Sequence, residues 1–179
     1  LFLNLFILIC FLISLYEWYK MKKDNIYYFT GIIFLFLSFY SVFRFTNFEA
    51  DYPYFLFILI ICISTDLGGY IFGKIFKGKK LTKISPNKTY AGMFGSFILS
   101  LVFCYLFLEL TTIFTNLNFI SINTLIFILL ISLISQGGDI LISYFKRKSK
   151  IKNTGNIIPG HGGLLDRIDG MIFAFPCGY

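Results

Sequence analysis

The chain has 179 residues, 57% of them apolar, with 24 phenylalanines and a mean hydropathy of +0.77. Soluble domains carry roughly 45–50% apolar residues, so a separate soluble domain is excluded and a lipid environment is expected. The formal charge of +7 suits nucleic acid or anionic lipid, but the basic residues flank apolar runs, which favours lipid and phosphate and leaves no nucleic-acid role.

In chain order, apolar runs near residues 1–19, 26–43, 54–73, 90–110 and 122–145 are each long enough to cross the hydrocarbon core as a helix. A sixth begins at about Ile168. The expected fold is all-α: a polytopic integral membrane helix bundle of about five complete spans plus a partial sixth, forming one transmembrane domain over residues 1–179. Ser121–Thr124 has some β-branched character, yet an open sheet in lipid leaves backbone groups unpaired, so helix is favoured there too. The first run lacks a basic leader and an A-x-A-like site and reads as a span rather than a signal peptide. The chain opens at Leu1 without Met and stops as a span gets under way, so a fragment lacking terminal spans is expected.

Sequential spans alternate sides, and the loops divide by charge accordingly. Lys20, Lys22 and Lys23 lie in loop one; Lys74, Lys77, Lys79, Lys80, Lys83 and Lys88 in loop three; Lys146, Arg147, Lys148, Lys150, Lys152 and Arg167 in loop five. Only Arg44 of the 16 basic residues falls in an even loop, which places the first residue outside and the odd loops in the cytoplasm. Cys10, Cys62, Cys104 and Cys177 are scattered singly in apolar runs and suggest neither a zinc site nor disulfides.

Carboxylates, glycines and cations come together in three places, each at the cytoplasmic end of a span. In Ser64-Thr65-Asp66-Leu67-Gly68-Gly69-Tyr70, Asp66 sits inside an apolar span, which costs about 2.5–3.5 kcal/mol unless it meets a cavity or partner. Metal or substrate contact supplies one; a structural hydrogen bond to Ser64, Tyr70 or another helix is the alternative. Gly68 and Gly69 equally suit helix packing. Downstream, Lys83 and Lys88 flank the turn Ser85-Pro86-Asn87, and the next helix points its positive N-terminus at any bound phosphate, making Ser85, Lys88 and Thr89 candidate nucleotide contacts.

In the second place, Ser135, Asp139 and Ser143 recur at helical spacing and form a polar stripe, with Lys146 and Arg147 just beyond. The third runs from Pro159 to Gly170. Asp166 and Asp169 are spaced i, i+3 and can reach one cation, while Gly160, Gly162 and Gly163 permit close ligand approach. Aspartate oxygens beside basic residues suit Mg²⁺ or another divalent cation. His161, the only histidine, is either a turn residue or a substrate contact.

The run Ser143, Lys146-Arg147, Lys152, Gly155, Pro159, His161-Gly162-Gly163, Asp166-Arg167 and Asp169 resembles the signature of the phosphatidate cytidylyltransferases, or CDP-diacylglycerol synthases. Asp66-Leu67-Gly68-Gly69-Tyr70, Lys83 to Thr89 and Gly138-Asp139 match upstream segments in the same order, so the likeness covers about residues 60–175, with 135–170 as the signature region. Ile142, Asn153 and Ala91 stand where Glu, Asp and Glu are common in the family. The resemblance implies CTP + phosphatidate → CDP-diacylglycerol + pyrophosphate, a required divalent metal, and a cytoplasm-facing cavity in a multi-pass protein of the bacterial inner membrane. It points to Asp139, Asp166 and Asp169 as metal ligands. Lys88, Lys146, Arg147 and Arg167 are then phosphate partners, and Ser143, His161, Gly162, Gly163 and Asp66 further substrate contacts. Membrane lipids are the surroundings, and a homodimer is left open. A secondary transporter for an anionic solute is the first rival, since intramembrane acids also mark transport sites. Another CTP-using lipid enzyme, a polyprenol kinase or CDP-archaeol-type synthase, is the second.

Overall fold

The computed structural model describes residues 2–21, 25–48, 52–82, 84, 85, 87–115, 121–157 and 162–179. Five long helices follow in chain order: α1 (Phe2–Lys20), α2 (Asn25–Asn47), α3 (Tyr52–Phe76), α4 (Tyr90–Thr115) and α5 (Ile122–Lys148). Two short ones, α6 (Leu165–Ile168) and α7 (Met171–Gly178), end the chain. All five long helices are long and apolar enough to cross a membrane, as the hydropathy predicts. Among the described residues there is no strand, only an isolated bridge between Lys80 and Thr89. At Ser121 the side chain caps α5 by accepting the Thr124 N–H at 3.2 Å, so a polar residue beside β-branched neighbours starts a helix. The sixth apolar run, expected from about Ile168, is the short helix α7 from Met171, which the single turn α6 precedes across Asp169–Gly170.

Large apolar side chains cover the outside of the bundle, including Phe6, Phe29, Ile33, Phe94 and Leu133, as a lipid-facing surface requires. Two buried clusters fill the inside. Phe57, Ile58, Ile61, Cys104, Ile128, Ile131 and Phe175 join α3, α4, α5 and α7. Trp18, Leu35, Ile142, Leu165 and Ile172 join α1 and α2 to α5, α6 and α7.

The tightest pairing is α3 with α4. A Cβ on Gly68 would lie 2.5 Å from the Gly95 carbonyl oxygen, and one on Gly92 would lie 2.7 Å from that of Gly69. Small residues thus let two backbones touch, the usual solution where lipid offers no hydrophobic drive to association. Polar threads cross the same region. The Ser96 hydroxyl donates to the Thr65 carbonyl (2.6 Å), and the Thr65 hydroxyl donates to Ser132 on α5 (2.8 Å). The C-terminal ends of α1, α3 and α5 gather at one end of the bundle, where the lysine-rich loops lie.

Candidate active site

At that end a cavity of about 570 Å³ opens between the C-terminal half of α3, the start of α4, the C-terminal half of α5 and α6 with its following turn. This is the size of a small-molecule site. Its wall carries four carboxylates, Asp66, Asp139, Asp166 and Asp169, and three cations, Lys88, Lys146 and Arg167.

Folding of the loop before α4 delivers Lys88. The Leu81 N–H donates to the Lys88 carbonyl (2.7 Å), Tyr90 N–H to Lys79 O (3.1 Å) and Lys88 N–H to Ser85 O (3.1 Å). This folded-back loop holds Lys88 against α5, where its ammonium pairs with Asp139 and donates to the Gln136 carbonyl at 3.3 Å. Thr89 accepts the Gly92 N–H at 3.1 Å and so caps α4, whose N-terminal turn borders the cavity through Thr89, Gly92 and Met93.

Asp166 is held from three sides. Oδ1 accepts the Lys146 ammonium at 2.8 Å, and Oδ2 accepts the backbone N–H groups of Thr154 (2.9 Å) and Gly163 (3.0 Å). Burial works to raise this carboxyl, but Lys146 and the two N–H donors outweigh it and hold it below the usual aspartate value. Gly162, at φ +91°, turns the chain beside it in a conformation that side chains disfavour.

Asp139 and Asp169 face one another. Their carboxyl groups lie within hydrogen-bonding reach, and Asp66 is close enough to act electrostatically on both. Asp169 Oδ1 also accepts the Gly170 N–H at 3.0 Å, and Asp139 Oδ1 receives a long contact from Ser143 at 3.4 Å. Two carboxylates side by side repel unless a proton or cation lies between them. Among the described residues no three His, Cys, Asp or Glu side chains converge on one point as a complete metal cage. A facing pair fits Mg²⁺, which takes one or two carboxylates and completes its shell with water and substrate phosphate.

The structure therefore brings Asp66, Ser85, Lys88, Thr89, Asp139, Lys146, Asp166, Arg167 and Asp169 into one wall. Ser143, Gly162 and Gly163 stand behind it through Asp139 and Asp166, while Arg147 is exposed and not part of the wall. The stripe predicted on α5 divides: a Cβ on Gly170 would lie 2.5 Å from Ser135 Oγ, so Ser135 is buried against that turn while Asp139 faces the cavity. His161 and Lys83 lie outside the described residues. Of the three positions that depart from the resemblance, Asn153 lines the cavity, whereas Ile142 is buried in the cluster with Trp18 and Leu165, away from it.

One residue absent from the sequence expectations stands out. Glu17, at the end of α1, is 1% exposed, and its carboxylate receives Thr154, Leu164 and Leu165. The signal was an acid closing an apolar run, the same criterion that drew attention to Asp66.

The sequence profile of the cytidylyltransferase family matches residues 1–179. The phosphatidate cytidylyltransferase of Rickettsia felis is 38% identical over 166 residues, covering 89% of this chain and 72% of that protein. That of Rickettsia prowazekii is 39% identical over 170 residues, with the same coverage. The Staphylococcus saprophyticus phosphatidate cytidylyltransferase is 40% identical over 124 residues, 69% of this chain, which spans about half (46%) of that protein's length.

Proposed function

The chain belongs to the cytidylyltransferase family, and from that premise we propose that it makes CDP-diacylglycerol from CTP and phosphatidate, releasing pyrophosphate. It is a nucleotidyltransferase of a lipid phosphate embedded among membrane helices, and the lysine-rich end of the bundle is the cytoplasmic one in the inner membrane of a bacterium. The observation that carries the reading is one cavity in which carboxylates from α3, α5, α6 and the α6–α7 turn meet lysine and arginine side chains.

The chemistry follows from charge. A phosphatidate oxygen forms a bond to the α-phosphorus of CTP while the bond from that phosphorus to the β-bridging oxygen breaks, and pyrophosphate leaves. The nucleophile is already an anion, so no strong base is needed. The task left to the protein is positioning and electrostatic stabilisation. With four acids and three cations on the wall, a divalent ion would be held by Asp139 and Asp169, with Asp166 beside them, and would neutralise charge on the triphosphate. Lys88, Lys146 and Arg167 bind and orient phosphate oxygens, Lys88 and Lys146 being held ready by their aspartate partners. The N-terminus of α4 behind Thr89 offers further N–H groups to the nucleotide.

The test is purified protein in micelles with labelled CTP, phosphatidate and Mg²⁺, scored for a lipid-linked cytidine product. Asp169→Asn is expected to abolish turnover at saturating Mg²⁺ while the protein still inserts and unfolds cooperatively. Wild-type turnover in that variant would remove Asp169 from the metal site.

A further inference from the structure

We propose that Glu17 is a positioning residue: a buried carboxylate on α1 that clamps Thr154 to the 163–165 segment and so fixes where Asp166 and Asp169 stand. The inference rests on the enzymatic reading above and adds a residue outside the cavity wall.

Glu17 Oε2 accepts the Thr154 hydroxyl at 2.9 Å and the Leu165 N–H at 2.8 Å, and Oε1 accepts the Leu164 N–H at 3.0 Å. Its donors come from both ends of the loop, 137 to 148 residues further along the chain. Among the described residues no lysine or arginine forms an ion pair with Glu17. A carboxylate 1% exposed survives in that state only where hydrogen bonds to its charged form replace water.

The loop is built to admit it. A Cβ on Gly155 would lie 2.6 Å from Glu17 Oε1, and one on Gly163 would lie 2.6 Å from Glu17 Cδ. Glycine at both positions leaves room for the carboxylate. Thr154 and the 163–165 segment then serve two acids at once. The Thr154 hydroxyl goes to Glu17 while its N–H goes to Asp166; Gly163 N–H goes to Asp166 while the next two N–H groups go to Glu17. Displacing Glu17 therefore moves the donors of Asp166 and the start of α6, four residues before Asp169. Glu17 itself lies outside the cavity wall, so its effect is indirect.

The experiment compares the wild-type chain, Glu17→Gln and Thr154→Val in micelles. Hydrogen exchange is read over residues 153–168 and over α3–α4, and turnover is read against Mg²⁺. Glutamine places an NH₂ opposite one of the N–H donors. Glu17→Gln is expected to speed exchange about tenfold in 153–168 with α3–α4 unchanged, and to raise the Mg²⁺ needed for half-maximal turnover about tenfold. Thr154→Val, which removes one of the three donors to Glu17, should do the same more weakly.

Unchanged exchange in 153–168 in Glu17→Gln overturns the proposal. If Glu17→Gln loosens the whole bundle, Thr154→Val decides: faster exchange confined to the loop upholds the clamp, and wild-type exchange sinks it. A wild-type chain that makes no cytidine lipid would refute the enzymatic reading, while the exchange data would still test the clamp.

Discussion

Along α3 and α4 the cavity wall is set by backbone meeting backbone, whereas on its opposite side the loop before α6 is set by hydrogen bonds to Glu17 and Asp166. The first contact depends on the absence of side chains at Gly68 and Gly92 and involves no ionisable group. The second depends in part on the charged Asp166 carboxylate, hence on pH. One wall is a fixed frame, and the other can be loosened by a single proton or a single lost oxygen.

The largest effect should come from filling the frame. Gly68→Val drives a side chain into the Gly95 carbonyl, which cannot give way as a flexible side chain would. Overpacking of this kind costs about 3 kcal/mol, read as a drop in the thermal unfolding midpoint in micelles, with little dependence on pH. An unchanged midpoint would show that the helices separate without cost and would remove the contrast between the walls.

A smaller effect, distinguished by its pH dependence, is expected for Asp166→Asn. The Asp166 carboxyl is held below its ordinary value, so the stability it supplies is complete above its unfolded value of about 4 and fades as pH falls through the lower folded value. Unfolding midpoints followed downward from about pH 5 should therefore fall less steeply in the variant than in the wild type. Parallel curves would mean that Lys146, Thr154 and Gly163 do not stabilise the charged form. The smallest effect belongs to Thr65→Val, which removes one hydroxyl bond to Ser132. A loss of about 0.6 kcal/mol is expected, as for other interhelical hydrogen bonds in membranes.

Hydropathy and loop charge made the five long helices legible, because a lipid solvent leaves few alternatives for an apolar run of that length. Asp66, Asp139, Asp166 and Asp169 were legible for a related reason: an acid in such a setting needs a polar cavity or a partner. Glu17 carried the same local signal, but what makes it matter is a loop 137 residues away in sequence, and no local spacing announces that contact. Nor could periodicity tell that Ser135 turns toward Gly170 while Asp139, one turn on, faces the cavity. Gly68 illustrates a third kind of silence. Beside Asp66 it reads equally well as a ligand-facing or a helix-facing glycine, and only the Gly95 carbonyl beside it decides the matter.

Asp139 and Lys146 ride the same helix seven residues apart, each matched to an opposite charge from elsewhere in the chain, Lys88 of the loop before α4 in one case and Asp166 of α6 in the other. About two turns, or roughly 10 Å, of unbroken helix separate them, so α5 works as a rod with two differently keyed teeth. Inserting or deleting one residue between them turns the second tooth by roughly 100° relative to the first, and no side-chain rearrangement restores both. The length of that stretch is consequently under tighter constraint than most of its letters.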